Sequence, residues 1–405
     1  MKIILCGRDD HARYIAKKYE EENLLKRYYN FYYYKENFIG KFINKYIYKE
    51  VKKRNKVILD EKKVRNFLPH RILNILINKI LFFKKDRMYI SNWICDSIYD
   101  LYIAFTIEEA DIYHLWSQYS LRTIKKIKRK YPKSKIILEV YCAHPNYRDV
   151  IYKKNKIIKN EVVPQHYMLN RINEEIKLAD VVNVSSNHVK ESIISQNLID
   201  KSKIKVIPYA TDTDNFFVEN KKKQSKEDIR ILFVGAIAGH KGINYLIDAI
   251  KYLREKEKYN ISLTLIGTIW TNMEQKINEN YKFINYLGKI PNGKLRGYYN
   301  SHDIFVFPSL SESMGLALSE AMACGMPVIT TRNASWIVKD RFNGMIIKEN
   351  SEKEIVDAIK LLVNDKNLCK FISKNAQITS KNYTWNKYFE QFKSRCILER
   401  EIENE

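Results

Sequence analysis

Between positions 303 and 331 the chain reads DIFVFPSLSESMGLALSEAMACGMPVITT, and no other stretch restricts the fold as tightly. Residues 304–307 are an apolar run stopped by Pro308, and residues 328–330 a second run opened by Pro327. Short continuous apolar runs bounded by proline fit parallel strands covered on both faces. Between them Leu316, Ala317, Glu320, Ala321 and Ala323 predict a helix, and Gly325 falls where a left-handed residue ends one. A helix that starts directly after a strand's carboxyl end presents its orphan N–H groups at the rim of the sheet. There the helix dipole and the donors near Met314 and Leu316 favour an anion such as a diphosphate, and Gly315 admits a close approach of backbone.

Two carboxylates complete the segment. Glu312 in the loop and Glu320 in the helix have seven residues between them, which allows both to face one cleft and accept bonds from vicinal hydroxyls. Taken singly, each reads equally as a solvated loop or helix-surface glutamate. The whole segment, in its PS, its first Glu, its Gly and its EAMACGMPV close, resembles the E-x7-E signature of the group 1 glycosyltransferases, retaining enzymes of the GT-B fold. The resemblance implies an α/β chain of two doubly wound, Rossmann-like domains facing a central cleft. It implies Glu312 as a catalytic residue and Glu312, Met314, Gly315, Leu316 and Glu320 as donor-binding residues.

Other blocks fall where that family places them. ILFVGAIAGHK at residues 231–241, followed by GINYLIDAI, reads as a buried strand, a glycine turn and an amphipathic helix. By resemblance Gly235 lets the backbone approach the donor phosphates and Lys241 supplies a cation to balance the leaving diphosphate. Many members carry an Arg after that glycine; here the position is Ala236, so Lys241 acts without a bidentate partner. FINYLGKIP at residues 283–291 resembles the edge that cups the nucleobase, with Gly288 and Ile290 acting through backbone and apolar contact. His144 in EVYCAHPNY resembles the family's histidine beside the donor sugar, and His114, read as lying just past another strand, is a second candidate; each reads alternatively as a structural histidine. Asn343 and Gly344 read as a tight turn, Ser185 and Ser186 as a helix cap, and Glu174 and Glu175 as solvated helix charges.

At 405 residues with 45% apolar content the chain is long enough for two cores. Strand and helix alternate in both halves. The expected division is residues 1–208 as an acceptor-side domain, 209–385 as a nucleotide-sugar domain, and 386–405 as a helix that packs back on the first. The boundary follows the loss of periodicity in YATDTDNF and ENKKKQSKED. Asp212 and Asp214 there read as linker carboxylates rather than a metal pair. The first strand-to-helix turn, after KIILC, holds only Gly7, which disfavours a dinucleotide-dependent hydride-transfer enzyme.

The net charge is +24, which implies acidic partners. Residues 26–56 hold ten Lys or Arg against two Glu, interleaved with tyrosines, and RILNILINKILFFKK follows at 71–85. That apolar run is too short to span a bilayer. It reads either as a core helix or as an interfacial one, which would make residues 26–85 a contact with an anionic membrane surface. The chain opens on a short strand rather than a leader pattern, so a cytoplasmic location, peripheral at the inner membrane face, is expected. The six scattered cysteines imply reduced, mostly buried thiols, and neither zinc spacing nor a required cofactor is expected. The function implied is transfer of a sugar, with retention and without a metal, from a UDP- or GDP-linked donor to a glycan or lipid-linked acceptor in cell-surface polysaccharide or glycolipid synthesis. The competing reading is a basic nucleic-acid-binding protein on a degenerate transferase fold.

Overall fold

The computed structural model describes residues 1–31, 33, 58–67, 69–81, 87–155, 166–219, 228–270, 273–280, 282–335 and 337–399. Most of the basic stretch 26–56, and residues 220–227 of the expected linker, lie outside the described residues.

Two sheets, parallel at every recorded pairing, carry the chain. The first contains β1 (Ile3–Cys6), β2 (Leu25–Asn30), β3 (Val64–Asn66), β4 (Ile112–Trp116), β5 (Lys135–Val140), β6 (Val181–Val184) and β7 (Ile204–Val206), in the order β3-β2-β1-β4-β5-β6-β7. The second contains β8 (Ile229–Val234), β9 (Ile261–Ile266), β10 (Ile284–Tyr286), β11 (Ile304–Phe307), β12 (Val328–Thr331) and β13 (Met345–Ile347), in the order β10-β9-β8-β11-β12-β13. The sequence dictates this arrangement: IILC, VVNV, IFVF and VITT are buried at every position, so helices must cover both faces of each sheet. Capping residues set the helix starts. Asp9 accepts from the Ala12 N–H at 2.7 Å, and Ser186 from the Val189 N–H at 3.3 Å. Gly325, at φ +67°, closes the helix Leu316–Ala323 as its sequence position required.

The helix Trp385–Phe392 follows the second sheet in the chain but lies on the first lobe. Trp385 stacks on Tyr14 with centroids 4.2 Å apart, and Phe392 on His114 at 4.6 Å. Thr211 of the interlobe segment donates its N–H to the Tyr383 carbonyl at 2.6 Å, so linker and C-terminal segment run side by side there.

Three expectations are corrected here. His114 lies inside β4, fully buried, rather than past a strand end. Glu175 is no solvated charge: its carboxylate is fully buried and accepts from the N–H groups of Gln118 and Ser120 at 2.6 and 2.8 Å, because its helix docks that face against the loop after β4. Glu174, one position earlier, is partly exposed and pairs with Lys177. The run at 71–85 supplies a helix, Pro69–Ile80, whose Ile72, Ile75, Leu76 and Ile80 are exposed, so it is not a core helix. Among the described residues, no helix is long and apolar enough to cross a membrane.

Candidate active site

In each sheet the strand order reverses beside its first strand, between β1 and β4 and between β8 and β11. Loops leaving those carboxyl ends diverge and open a crevice. After β1, Asp9 caps a helix whose first turn carries Asp10 and His11; the loop after β11 carries Glu312, Ser313 and Met314, and the two segments line a single cavity of about 530 Å³ between the lobes. The walls touch nearby: His188 Nε2 meets Ser311 Oγ at 2.8 Å, and Ser313 Oγ donates to the Tyr141 carbonyl.

On the second-lobe side, Gly315 caps the helix Leu316–Ala323 at φ +70°, and a Cβ there would meet the Ala334 carbonyl oxygen at 2.8 Å. Only glycine allows that turn, which leaves the first-turn N–H groups at the cavity with Met314, Gly315 and Leu316 in its lining. Lys241 comes from the 3-10 turn Gly239–Lys241 after β8. Gly242 follows at φ +72°, and a Cβ on it would meet the Pro308 carbonyl oxygen at 2.2 Å. The loops after β8 and β11 are therefore in backbone contact, and this brings the Lys241 ammonium onto Glu312 Oε1. The same oxygen accepts from Ser309 Oγ at 2.8 Å. Glu320 accepts from Tyr299 Oη at 2.9 Å and also lines the cavity. Glu312, Met314, Gly315, Leu316 and Glu320 are thus gathered in one place, with Lys241 in contact.

Gly235, Gly288 and Ile290 lie beside this group, not in the cavity lining. The Gly235 N–H donates to the Ile266 carbonyl at 2.9 Å and the Gly267 N–H to the Gly288 carbonyl at 2.9 Å, which laces the ends of β8, β9 and β10 into one rim. Ile290 is partly buried against the core. Ala236 leaves that rim without a guanidinium at this position.

His144 is not brought into the group. It is 1% exposed, caps the helix Pro145–Lys154, and its Nε2 meets Asn173 Oδ1 at 2.8 Å while its N–H donates to Ser192 Oγ at 2.9 Å. Two helices of the first lobe clamp it inward, and burial lowers its pKa. The histidine that lines the cavity is His11, which the sequence reading passed over. Its Nε2 meets Tyr388 Oη at 3.0 Å, Tyr388 reaches Glu139 Oε1 at 3.2 Å, and that oxygen also meets His114 Nε2 at 3.0 Å and accepts from Asn183 Nδ2 at 2.9 Å. Burial pulls His11 down to about 4, so it is neutral at physiological pH, and pushes Asp9 up to about 6. Only a positional signal pointed to His11: it opens the helix after the carboxyl end of β1, at a switch point. No motif marks it, nor the aromatic wall of Tyr14, Tyr141, Tyr209 and Trp385 around it.

With this geometry in hand, the comparisons agree on one class. Residues 214–379 match the model described as "Glycosyl transferases group 1". A "Capsular polysaccharide biosynthesis glycosyltransferase CapM" of Staphylococcus aureus is 32% identical over 218 residues, 49% of this chain and 56% of that one. A "UDP-Gal:alpha-D-GlcNAc-diphosphoundecaprenol alpha-1,3-galactosyltransferase" of Escherichia coli is 28% identical over 210 residues, 47% and 53% of the two chains. The chain spans about half the length of the curated relatives it matches. In fold it resembles HepE of Anabaena, solved in complex with UDP and glucose, at a TM-score of 0.62 and 14% identity over 97% of this chain and 98% of that one. The likeness to the group 1 glycosyl transferases is carried by residues 214–379, and the two lobes form a GT-B fold.

Proposed function

We propose that the protein transfers a glycosyl group, with retention, from a nucleoside diphosphate sugar to a glycan or lipid-linked acceptor in cell-surface polysaccharide or glycolipid synthesis. The observation that carries this reading is the convergence of Glu312, Glu320 and a helix N-terminus on one interlobe cavity, with the Lys241 ammonium in contact with Glu312. The diphosphate meets the N–H groups of the helix and competes with Glu312 for Lys241. Glu312 accepts from hydroxyls of the transferred sugar, and Glu320 from those of the donor's ribose. As the bond from the anomeric carbon to the diphosphate oxygen breaks, that oxygen keeps the electron pair, and the acceptor oxygen bonds to the anomeric carbon on the same face. The acceptor proton leaves on the departing diphosphate. Lys241 and the helix donors balance the charge that develops there, in place of a metal ion. No side chain forms a covalent bond to the sugar.

The relatives' printed activities, a capsular polysaccharide step and transfer to a diphosphoundecaprenol-linked sugar, support a surface-glycan product and a lipid-borne acceptor. The exposed Ile72, Ile75, Leu76 and Ile80 of the helix Pro69–Ile80, within a basic region, support docking of residues 26–85 on an anionic inner membrane face.

Titration of the full chain with UDP, GDP and single-stranded RNA at low and raised salt tests the donor assignment. One nucleoside diphosphate is expected to bind and to stabilise the fold by about 2.7 kcal/mol at roughly one hundred times its dissociation constant. Salt-sensitive RNA binding with no response to either nucleotide would replace this reading with the nucleic-acid one.

A further inference from the structure

Behind His11 runs a buried polar chain that the glycosyl-transfer reading does not use. Glu139 on β5, His114 on β4 and Asn183 on β6 are fully buried, and Glu139 pairs with Asn183 in the strand register. Three groups converge on one oxygen, Glu139 Oε1: the Asn183 amide at 2.9 Å, His114 Nε2 at 3.0 Å and the Tyr388 hydroxyl at 3.2 Å. Tyr388 comes from the helix Trp385–Phe392, is buried, and meets His11 Nε2 at 3.0 Å on its other side. The available protons give each bond its direction. The Asn183 amide nitrogen can only donate, so Glu139 Oε1 accepts and has no proton to return. A phenol has a single proton; that of Tyr388 goes to Glu139, and toward His11 its oxygen can only accept. The His11 proton therefore sits on Nε2. On the far side the same pattern holds: His114 donates from Nε2 to Glu139 and accepts at Nδ1 from the Tyr19 hydroxyl at 2.9 Å. His11 is neutral, so its Nδ1 keeps a lone pair, and that nitrogen has no hydrogen-bond partner among the described residues. His11 itself is half-buried, lines the cavity, and is held there by the rings of Tyr209, Tyr388 and Trp385, with centroids 4.3, 4.7 and 5.2 Å away.

We infer that Tyr388 and Glu139 are positioning residues: they hold His11 as the Nε2–H tautomer, so that the cavity meets a hydrogen-bond acceptor at Nδ1 and not a donor. The role of that acceptor, orienting a substrate hydroxyl by its proton, rests on the glycosyl-transfer reading; the tautomer does not. The opposite tautomer would present an N–H, which would take up a lone pair of the hydroxyl oxygen instead and leave its proton undirected. Tyr388 lies 377 positions after His11, so the tautomer is set only once the C-terminal helix has docked on the first lobe. The docked helix thereby fixes the chemistry of a cavity residue as well as packing against the lobe.

Long-range proton–nitrogen correlation spectra of the full chain with isotope-labelled histidine test this, His11→Gln identifying the resonances. The wild type is expected to show the His11 proton on Nε2 and a bare Nδ1. Tyr388→Phe keeps the ring and removes the acceptor, and is expected to raise the Nδ1–H share about fivefold, the ratio that one hydrogen bond supplies. Glu139→Leu, which frees the Tyr388 proton to turn toward His11, serves as the second variant should the first unfold, and is expected to act in the same direction. UDP and GDP are expected to bind Tyr388→Phe as they bind the wild type. Excess methyl α-D-glucopyranoside or glycerol, added with the nucleotides, is expected to move the wild-type Nδ1 resonance. An Nδ1–H tautomer in the wild type, an unchanged tautomer in folded Tyr388→Phe, or an Nδ1 resonance that neither hydroxyl probe moves while a nucleotide binds overturns the inference and leaves the donor assignment standing. A wild-type chain that binds neither nucleotide fails the transfer reading, and the role in transfer falls with it.

Discussion

Lys241 and Glu312 are in contact, with side chains only 16% and 15% exposed. At an effective dielectric constant of about 20, unit charges at roughly 4 Å interact by about 4 kcal/mol, so a diphosphate bearing more than one negative charge competes well for the ammonium. Lys241→Ala should lower turnover about 10²- to 10³-fold, the scale expected for losing one positioned stabiliser of a developing anion. Glu320→Ala should weaken nucleotide binding by about 1.5–3 kcal/mol, as for a hydrogen bond to a charged group. Initial rates, nucleotide titration and circular dichroism decide both, and unchanged rates and affinities in folded variants would sink the assignment. Glu175 makes a prediction of a different kind. Burial pushes its carboxyl up to about 7, against the 4.5 of an exposed glutamate. Between those pH values the folded chain holds a proton that the unfolded chain has lost, so this group's contribution to stability falls as pH rises, by up to about 3 kcal/mol. Denaturant titrations at pH 5 and pH 8 should show that slope reduced in Glu175→Gln relative to wild type. The sequence held a clue to this residue: Ile172 and Ile176, at helical spacing, bracket Glu175 on the buried face. Reading it as solvent-facing followed its neighbour Glu174 instead of the helical period.

Among the elements, the helix Trp385–Phe392 decides most about how the lobes are held. Its amphipathic pattern was legible from Trp385, Tyr388, Phe389 and Phe392. Its partners were not, because they come from β4, β5 and the first helix, more than 200 positions earlier. Phe392 is fully buried and stacks on His114 at 4.6 Å. Phe392→Ala should therefore cost about 3–5 kcal/mol, read as a fall in the urea midpoint without change of slope. A cost below about 1 kcal/mol would mean that the helix does not pack on the first lobe in solution. The helix Leu316–Ala323 is the opposite case. Its strand, loop, Gly cap and following strand all lie within residues 303–331, so local sequence encoded the entire crossover.

For the whole molecule, the net charge of +24 and the acid-lined cavity act at different ranges. At about 0.15 M salt charges are screened over roughly 8 Å, so the basic excess acts on what approaches the chain while the cavity carboxylates act only on what lies beside them. Sedimentation with vesicles containing anionic lipid should carry the protein down at low salt and release most of it at high salt, with little binding to neutral vesicles. Equal binding to both would leave an apolar contact as the only anchor. The two-lobe plan was legible because parallel strands buried on both faces leave continuous apolar runs, and the thirteen strands among the described residues, arranged as two reversed orders, follow from such runs alternating with helices.

By itself the sequence determined the α/β class, the placement of Glu312 and Glu320 beside one helix start, and the glycine turns next to them, because each depends on neighbours within about thirty residues. It also carried the transferase resemblance, which is a property of local motifs. Only the tertiary structure decided which histidine meets the cleft, turning His144 inward onto Asn173 and placing His11 beside Tyr209 and Tyr388. Only it assembled the aromatic and acidic wall from the first loop, the linker and the C-terminal helix. Those three segments are remote in sequence and carry no shared motif; the reversal of strand order in the first sheet and the return of the final helix are what bring them together.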